Sequence, residues 1–304
     1  MEAHQADLLT DDAVNVMQRL IQGNNGNQTL VQHLNILQTA LANGIEAAYA
    51  PLRKSPFEQL QELRQVFDRV QKPEEVQAVI ARWLMSGQRF LQQKDIPQDH
   101  LTQFSAECET VILPRAVASG EAQLVNACKS LLGWAYNSLN MEYDNQKDYP
   151  QALAAISKAI EYQPQQAMYY RNRAGTHMNM KAYASALPDL EKAQELDSDN
   201  NRLARLWHDC LVGVGEPVLL FGKIAYLLEK HPDQANIHYY IALAHAYIGD
   251  DVASIAAMRE SSRLASEHQR QSGISTLDEL QVTLPDFAPI IVKLVAVLKE
   301  MPND

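Results

Sequence analysis

The stretch YYRNRAGTHMNMKAYASALPDLEKAQEL, residues 169–196, decides the fold. Apolar and small residues recur at three- and four-residue intervals on both sides of Lys181-Ala182-Tyr183, the period of two amphipathic helices joined by a short turn. Ala174 in the first helix and Ala186 and Ala193 in the second stand where the helices would cross. Two helices approach closely only where side chains are nearly absent, so these alanines predict a tight antiparallel hairpin.

The hairpin has neighbours in phase. Thirty-four residues before Ser198, Ala193, Ala186 and Tyr183 lie Pro164, Ala159, Ala152 and Tyr149. Thirty-four and sixty-eight residues after Ser198 lie Pro232 and Ser266, and two steps beyond Ala174 lies Ala242, in YYIALAHAYIGDD. Units of this length stack into a solenoid, because one hairpin cannot bury its apolar face alone.

This period, with small residues at these places, resembles the tetratricopeptide repeat family. The resemblance covers 126–268, divided into 126–166, 167–200, 201–234 and 235–268, and is most specific in the second unit, where Tyr170, Ala174, Ala186 and Ala193 fit the family pattern. Taking Gly133 and Tyr136 as the start of the first unit makes it seven residues too long, and NMEYDNQ (140–146) is expected to lengthen its first helix or project as a loop. In the third unit His208, Leu220 and Leu227 replace small residues. In the fourth, Ala242, Ser254 and Ser261 satisfy the pattern.

The expected fold class is all-α: an α-solenoid with helical caps at both ends. Residues 1–120 show no such phase and read as a separate helical region, a cap in preference to degenerate repeats. Helices are expected at 10–22 (capped by Thr10 or Asp11), 28–50, 55–71, 74–93 and 98–118, with Pro114 kinking or ending the last. Residues 269–304 form the other cap, in which QSGISTLDELQVTLPDFAP (271–289) reads as a breaker-rich join to a helix over 289–301.

Composition narrows the function. The 304 residues carry a formal net charge of −11, with a pI near 5.3 and no Lys/Arg cluster, so a nucleic-acid partner is not expected. VMQRLIQGNNGNQTLVQHLNIL has a helix-break-helix outline, but its second helix has no Arg or Lys to reach DNA. The start, MEAHQADLLTDD, lacks the basic and apolar regions of a signal peptide, and no eighteen-residue apolar run occurs. A cytoplasmic protein of bacterial type with no membrane partner is expected. Cys108, Cys128 and Cys210 lie far apart in sequence without CxxC spacing and read as buried, reduced thiols.

Catalytic and cofactor motifs are missing, and no cofactor or metal is expected. NNGNQ (24–28) lacks the lysine and strand of a phosphate loop. His208, His238 and His245 read as core or interface histidines. In HDC (208–210) adjacent side chains point about 100° apart on a helix, which argues against a relay. A non-enzymatic chain is expected.

What the resemblance implies is an inner groove along the first helices of the units, binding an extended peptide or a partner's helix. The groove residues it selects are Arg171, Asn172, Asn179, Arg202, Arg205 and Tyr239, with Met168, Met178, Asp209 and Leu243 beside them. Arginines beside asparagine favour an acidic ligand or a free carboxylate; the competing reading pairs Arg171 and Arg205 with nearby acids. Asn172-Arg173 also resembles the carboxylate-clamp subfamily, which holds chaperone C-termini. Of five clamp positions only Asn172 and Arg202 match; Ser130, Trp134 and Leu206 occupy the others. The leading expectation is therefore an interaction module, a scaffold or adaptor. The alternative is a peptide-sensing regulator similar to bacterial quorum-sensing receptors, and homo-oligomerisation is left open.

Overall fold

The computed structural model describes residues 11–23, 28–43 and 54–300. Thr10, the NNGN of the 24–28 turn, the 44–50 end of the second expected helix and Met301 lie outside them. Every regular element among the described residues is helical, and the chain divides into two compact units at Leu131/Leu132.

The first unit holds α1 (Asp11–Gly23), α2 (Gln28–Asn43), α3 (Pro56–Phe67), α4 (Pro73–Leu91), α5 (Gln98–Glu107), a π-helical turn (Cys108–Ile112) and α6 (Leu113–Ala118). Ser55 opens α3 through a reciprocal capping box with Glu58, with Pro56 in the first turn. Trp83, Phe90 and Phe104 form an aromatic core, the Trp83 and Phe104 rings stacked 4.8 Å apart. Pro114 does not end the helical run, which continues to Ala118. It has no N–H to continue the α-helical ladder, and the π turn before it, in which Leu113 N–H bonds the Cys108 carbonyl, absorbs the break. The buried Cys108 thiol donates to the Cys128 carbonyl (3.9 Å). Its interaction with the Cys128 side chain, and then burial, push the Cys108 pKa well above the ordinary thiol range.

The chain enters the second unit inside α7 (Ala122–Asn145), later than the break expected at 120–126. Thereafter come α8 (Tyr149–Tyr162), α9 (Ala167–Asn179), α10 (Tyr183–Leu196), α11 (Leu203–Gly213), a 3₁₀ turn (Pro217–Leu219), α12 (Leu220–Lys230), α13 (Ala235–Tyr247), α14 (Asp251–Leu264), α15 (Glu267–Thr283), a second 3₁₀ turn (Pro285–Phe287) and α16 (Ala288–Lys299). The period is thirty-four residues: α7, α9, α11 and α13 end at Asn145, Asn179, Gly213 and Tyr247. Each ends in the same left-handed turn, at Lys147, Lys181, Gly215 and Gly249. The fold is an all-α solenoid of helical repeats.

The packing explains the pattern. Ala174, Ala186 and Ala193 are fully buried where α9 meets α10. In the α13–α14 hairpin the same places hold serines whose hydroxyls return to the backbone, Ser254 to the Ala242 carbonyl (2.8 Å) and Ser261 to that of Ala235 (2.9 Å). In the α11–α12 hairpin His208, Leu220 and Leu227 are buried instead, and α12 has 11 residues where α10 has 14.

Two expectations are corrected. NMEYDNQ is not an insertion, since Asn140 stands where Ala174 and Ala242 stand. Its side-chain amide bonds the Ala152 carbonyl (3.1 Å), twelve residues on, as Ser254 bonds Ala242. The extra length of α7 is at its front, from Ala122, and Gly133 begins the period instead of filling its eighth place. Nor is 271–289 mostly a join: residues up to Thr283 belong to α15, opened by a Ser266–Gln269 capping box, with Ile274, Leu277 and Leu280 buried at helical spacing.

Among the described residues no single helix is long and apolar enough to cross a membrane. Helices α15 and α16 reach that measure only as a pair bent by 117°, and Ile291, Leu294 and Leu298 of α16 are buried in the unit.

Candidate functional site

Helices α7, α9, α11 and α13 of the second unit share a cavity of about 890 Å³. Five of the six residues selected from the sequence, Arg171, Asn172, Asn179, Arg202 and Arg205, line it. Its α7 wall is a polar ladder to α9. Asn172 donates to Asn137 (2.6 Å), Asn140 donates to Thr176 (3.1 Å), and Asn179 donates to Asp144 Oδ2 (2.6 Å). Amides at these heights fix the two helices in register and leave part of their polar capacity facing the cavity.

Tyr239 does not belong to this cavity. It is buried, and its hydroxyl donates to the Gly273 carbonyl (3.1 Å) in a smaller hollow of about 290 Å³ against α15. The reason is that α15 stacks on α13 and covers the place that Arg171 and Arg205 occupy on their own helices. Tyr240, one residue on, faces the larger cavity instead. Leu243 is likewise buried in the core.

The arginines divide into three environments. Arg205 ion-pairs with Asp209 (3.4 Å) and is 74% exposed, an arrangement worth little in stability. Arg173 turns away from the cavity and forms a two-pronged pair with Asp189 (2.6 and 2.8 Å), so half of the Asn172-Arg173 signature is structural. Arg171 lines the cavity with a buried Nη1 that has no hydrogen-bond partner. Burial depresses its pKa and Arg202 adds to the depression, while Asp197 opposes it. Pairing with a nearby acid thus describes Arg205, and Arg171 is the unsatisfied member.

Two features were missed. Trp134 and Met141 line the α7 side of the cavity and are 49% and 54% exposed. Asp144, at the last turn of α7, has one carboxylate oxygen, Oδ1, buried without a partner. Stepping thirty-four residues back from Met168, Arg171, Gly175 and Met178 reaches Trp134, Asn137, Met141 and Asp144. The seven-residue offset assigned to the first unit hid that step. The same correction puts Asn137 and Met141 at the first two clamp positions, and neither carries the charge a clamp requires.

The HDC triplet also differs from expectation. His208 Nδ1 lies 2.9 Å from Asp209 Oδ1 and Nε2 lies 2.9 Å from the Tyr247 hydroxyl. The carboxylate turns back across the helix surface, so adjacent residues do meet. Cys210 faces the other way, its thiol donating to the Tyr183 carbonyl (3.2 Å). His245 packs on Phe221 and His238 contacts the Pro232 carbonyl (2.7 Å). No cluster of metal-ligating side chains occurs among the described residues.

No protein-family model matches the chain. The chain is similar to human serine/threonine-protein phosphatase 5, 41% identical over 148 residues, which are 48% of this chain and 28% of the phosphatase. It is also similar to the yeast (Saccharomyces cerevisiae) small glutamine-rich tetratricopeptide repeat-containing protein 2, 41% identical over 51 residues, 17% of this chain and 15% of that protein. Among solved structures, YrrB, a TPR protein with an unusual peptide-binding site, aligns with 60% of this chain and 94% of its own at 17% identity and a TM-score of 0.40. The chain spans less than a third of the length of the curated relatives it matches. It resembles the tetratricopeptide repeat proteins over part of its length.

Proposed function

We propose that the second unit is a protein-interaction module whose α7–α9–α11–α13 cavity receives an extended segment of a partner protein. One observation carries the reading: a cavity of about 890 Å³ flanked by repeat helices contains a half-buried arginine, one of whose guanidinium nitrogens is buried without a partner. A buried guanidinium nitrogen without a partner destabilises the free protein, and an incoming carboxylate or carbonyl oxygen removes that cost. Trp134 and Met141 supply the apolar surface that anchors such segments. Asn137, Asn172 and Asn179 offer the adaptable contacts that an extended backbone needs.

The test is affinity purification with the intact chain and with an Arg171→Ala/Asn172→Ala/Arg202→Ala variant that retains its helical circular dichroism. Partners captured by the first and lost from the second are the expected result. An unchanged partner set overturns the assignment of the site. Nothing in the cavity favours the peptide-sensing regulator over this reading.

A further inference from the structure

We infer that the segment received by this cavity is dipolar: it brings an acidic group to Arg171 and, three or four residues away, a basic group to Asp144. The inference rests on the interaction-module reading and specifies its ligand. Its ground is a pair of defects of opposite charge in one cavity. Arg171 Nη1 is a buried donor without an acceptor, and Asp144 Oδ1 is a buried acceptor without a donor. The other Asp144 oxygen is held by Asn179, which fixes the carboxylate in place.

Fold stability does not explain the Asp144 charge, which sits in the last turn of α7, where the helix dipole disfavours an anion. Asp144 on α7 is level with Met178 on α9, one period on. Arg171 therefore lies seven residues, about 10 Å, nearer the N-terminal ends of the stacked helices. Adding the lateral spacing of neighbouring helices, about 8–10 Å, puts the two positions about 13–15 Å apart, which an extended chain covers in about four residues. A ligand with only an acid satisfies Arg171 and leaves Asp144 Oδ1 buried and unpaired, and burial makes such an omission costly.

The experiment pans a random ten-residue peptide library against the intact chain. Winners are then remade with blocked termini, with the acid changed to Gln or the base changed to Gln, and titrated by fluorescence anisotropy. Enrichment of peptides with an acid and a base separated by two or three residues is expected, each charge contributing at least about tenfold in affinity. With Asp144→Asn the preference for the base should vanish and that for the acid remain; Arg171→Gln should show the reverse. Enriched peptides that carry acids alone, or an Asp144→Asn variant that binds the paired peptide unchanged, overturn the inference and leave the module reading standing. A library yielding no binder overturns both.

Discussion

Arg173 and Asp189 are joined by two parallel hydrogen bonds, Nη2 to Oδ1 at 2.6 Å and Nε to Oδ2 at 2.8 Å, across the α9–α10 hairpin. Asp189 is 7% exposed, so the pair is largely withdrawn from water. The guanidinium also lies over the Tyr170 ring, and the carboxylate raises the Arg173 pKa. Removing one partner of such a pair leaves a desolvated charge, whereas replacing both with apolar residues is often neutral. Arg173→Met is thus expected to cost about 3 kcal/mol in urea unfolding, and Asp189→Leu a similar amount. The double variant should recover most of the loss. Additive losses would show that the pair matters through packing alone.

The four left-handed turns give an opposite prediction. Gly215 and Gly249 adopt φ of 83° and 81° without strain, but Lys147 and Lys181 hold φ of 62° and 60° in the same hydrogen-bonded turn. A side chain in that region crowds the backbone, and glycine does not. Lys181→Gly and Lys147→Gly are each expected to stabilise the second unit by about 0.5–1 kcal/mol, visible as a raised urea midpoint. Lower midpoints for both would mean that the lysine side chains make contacts that outweigh the strain.

Gly213 illustrates a close approach instead. A Cβ there would stand 2.5 Å from Cδ1 of the Tyr183 ring, far inside van der Waals contact. Gly213→Ala is expected to destabilise by about 1–3 kcal/mol, the range for overpacking a filled core. Pairing it with Tyr183→Leu should relieve the clash. A double variant no more stable than Gly213→Ala would place the cost elsewhere.

Cys210 supplies a pH dependence. Burial, with a contribution from Asp209, raises its pKa to about 11, against about 8.5 in an unfolded chain. Below pH 8.5 both states hold the proton and the contribution is fully present. As pH rises through about 11 the unfolded chain ionises first, and stability is lost. Urea midpoints measured from pH 8 to 11 should fall more steeply for the wild type than for Cys210→Ala. Parallel curves would show that another group governs the alkaline limit.

What was legible in the sequence follows from what repeats. Ala174, Ala186 and Ala193 disclose the hairpin because close packing tolerates few other residues. The inner-face positions implied by the tetratricopeptide resemblance place Arg171, Asn172, Asn179, Arg202 and Arg205 together, and all five line the cavity because stacked helices present equivalent positions side by side. Periodicity is silent where one repeat meets something other than its like. Tyr239 is covered because α15 stacks on α13, and Asn140 hid the first register because an amide, satisfied by Ala152 and Thr176, occupies the place of a small residue. The Arg173–Asp189 and Asp209–His208–Tyr247 contacts depend on rotamers, which no periodicity encodes.

Arg171 links stability to function. Its buried Nη1 lacks a partner, Arg202 lies close enough to depress its pKa further, and only Asp197 opposes that effect. Such a residue costs the free protein stability, and a ligand that pairs with it returns that stability, the trade-off found at binding sites. Met168 and Met178 line the same cavity, so a methionine at 171 would extend an existing apolar surface. Arg171→Met is therefore expected to raise the urea-unfolding stability of the unliganded chain by about 1 kcal/mol while abolishing the capture of acidic peptides. A stability loss of similar size would show that Arg171 is already satisfied within the fold, and would remove the argument that it awaits a ligand.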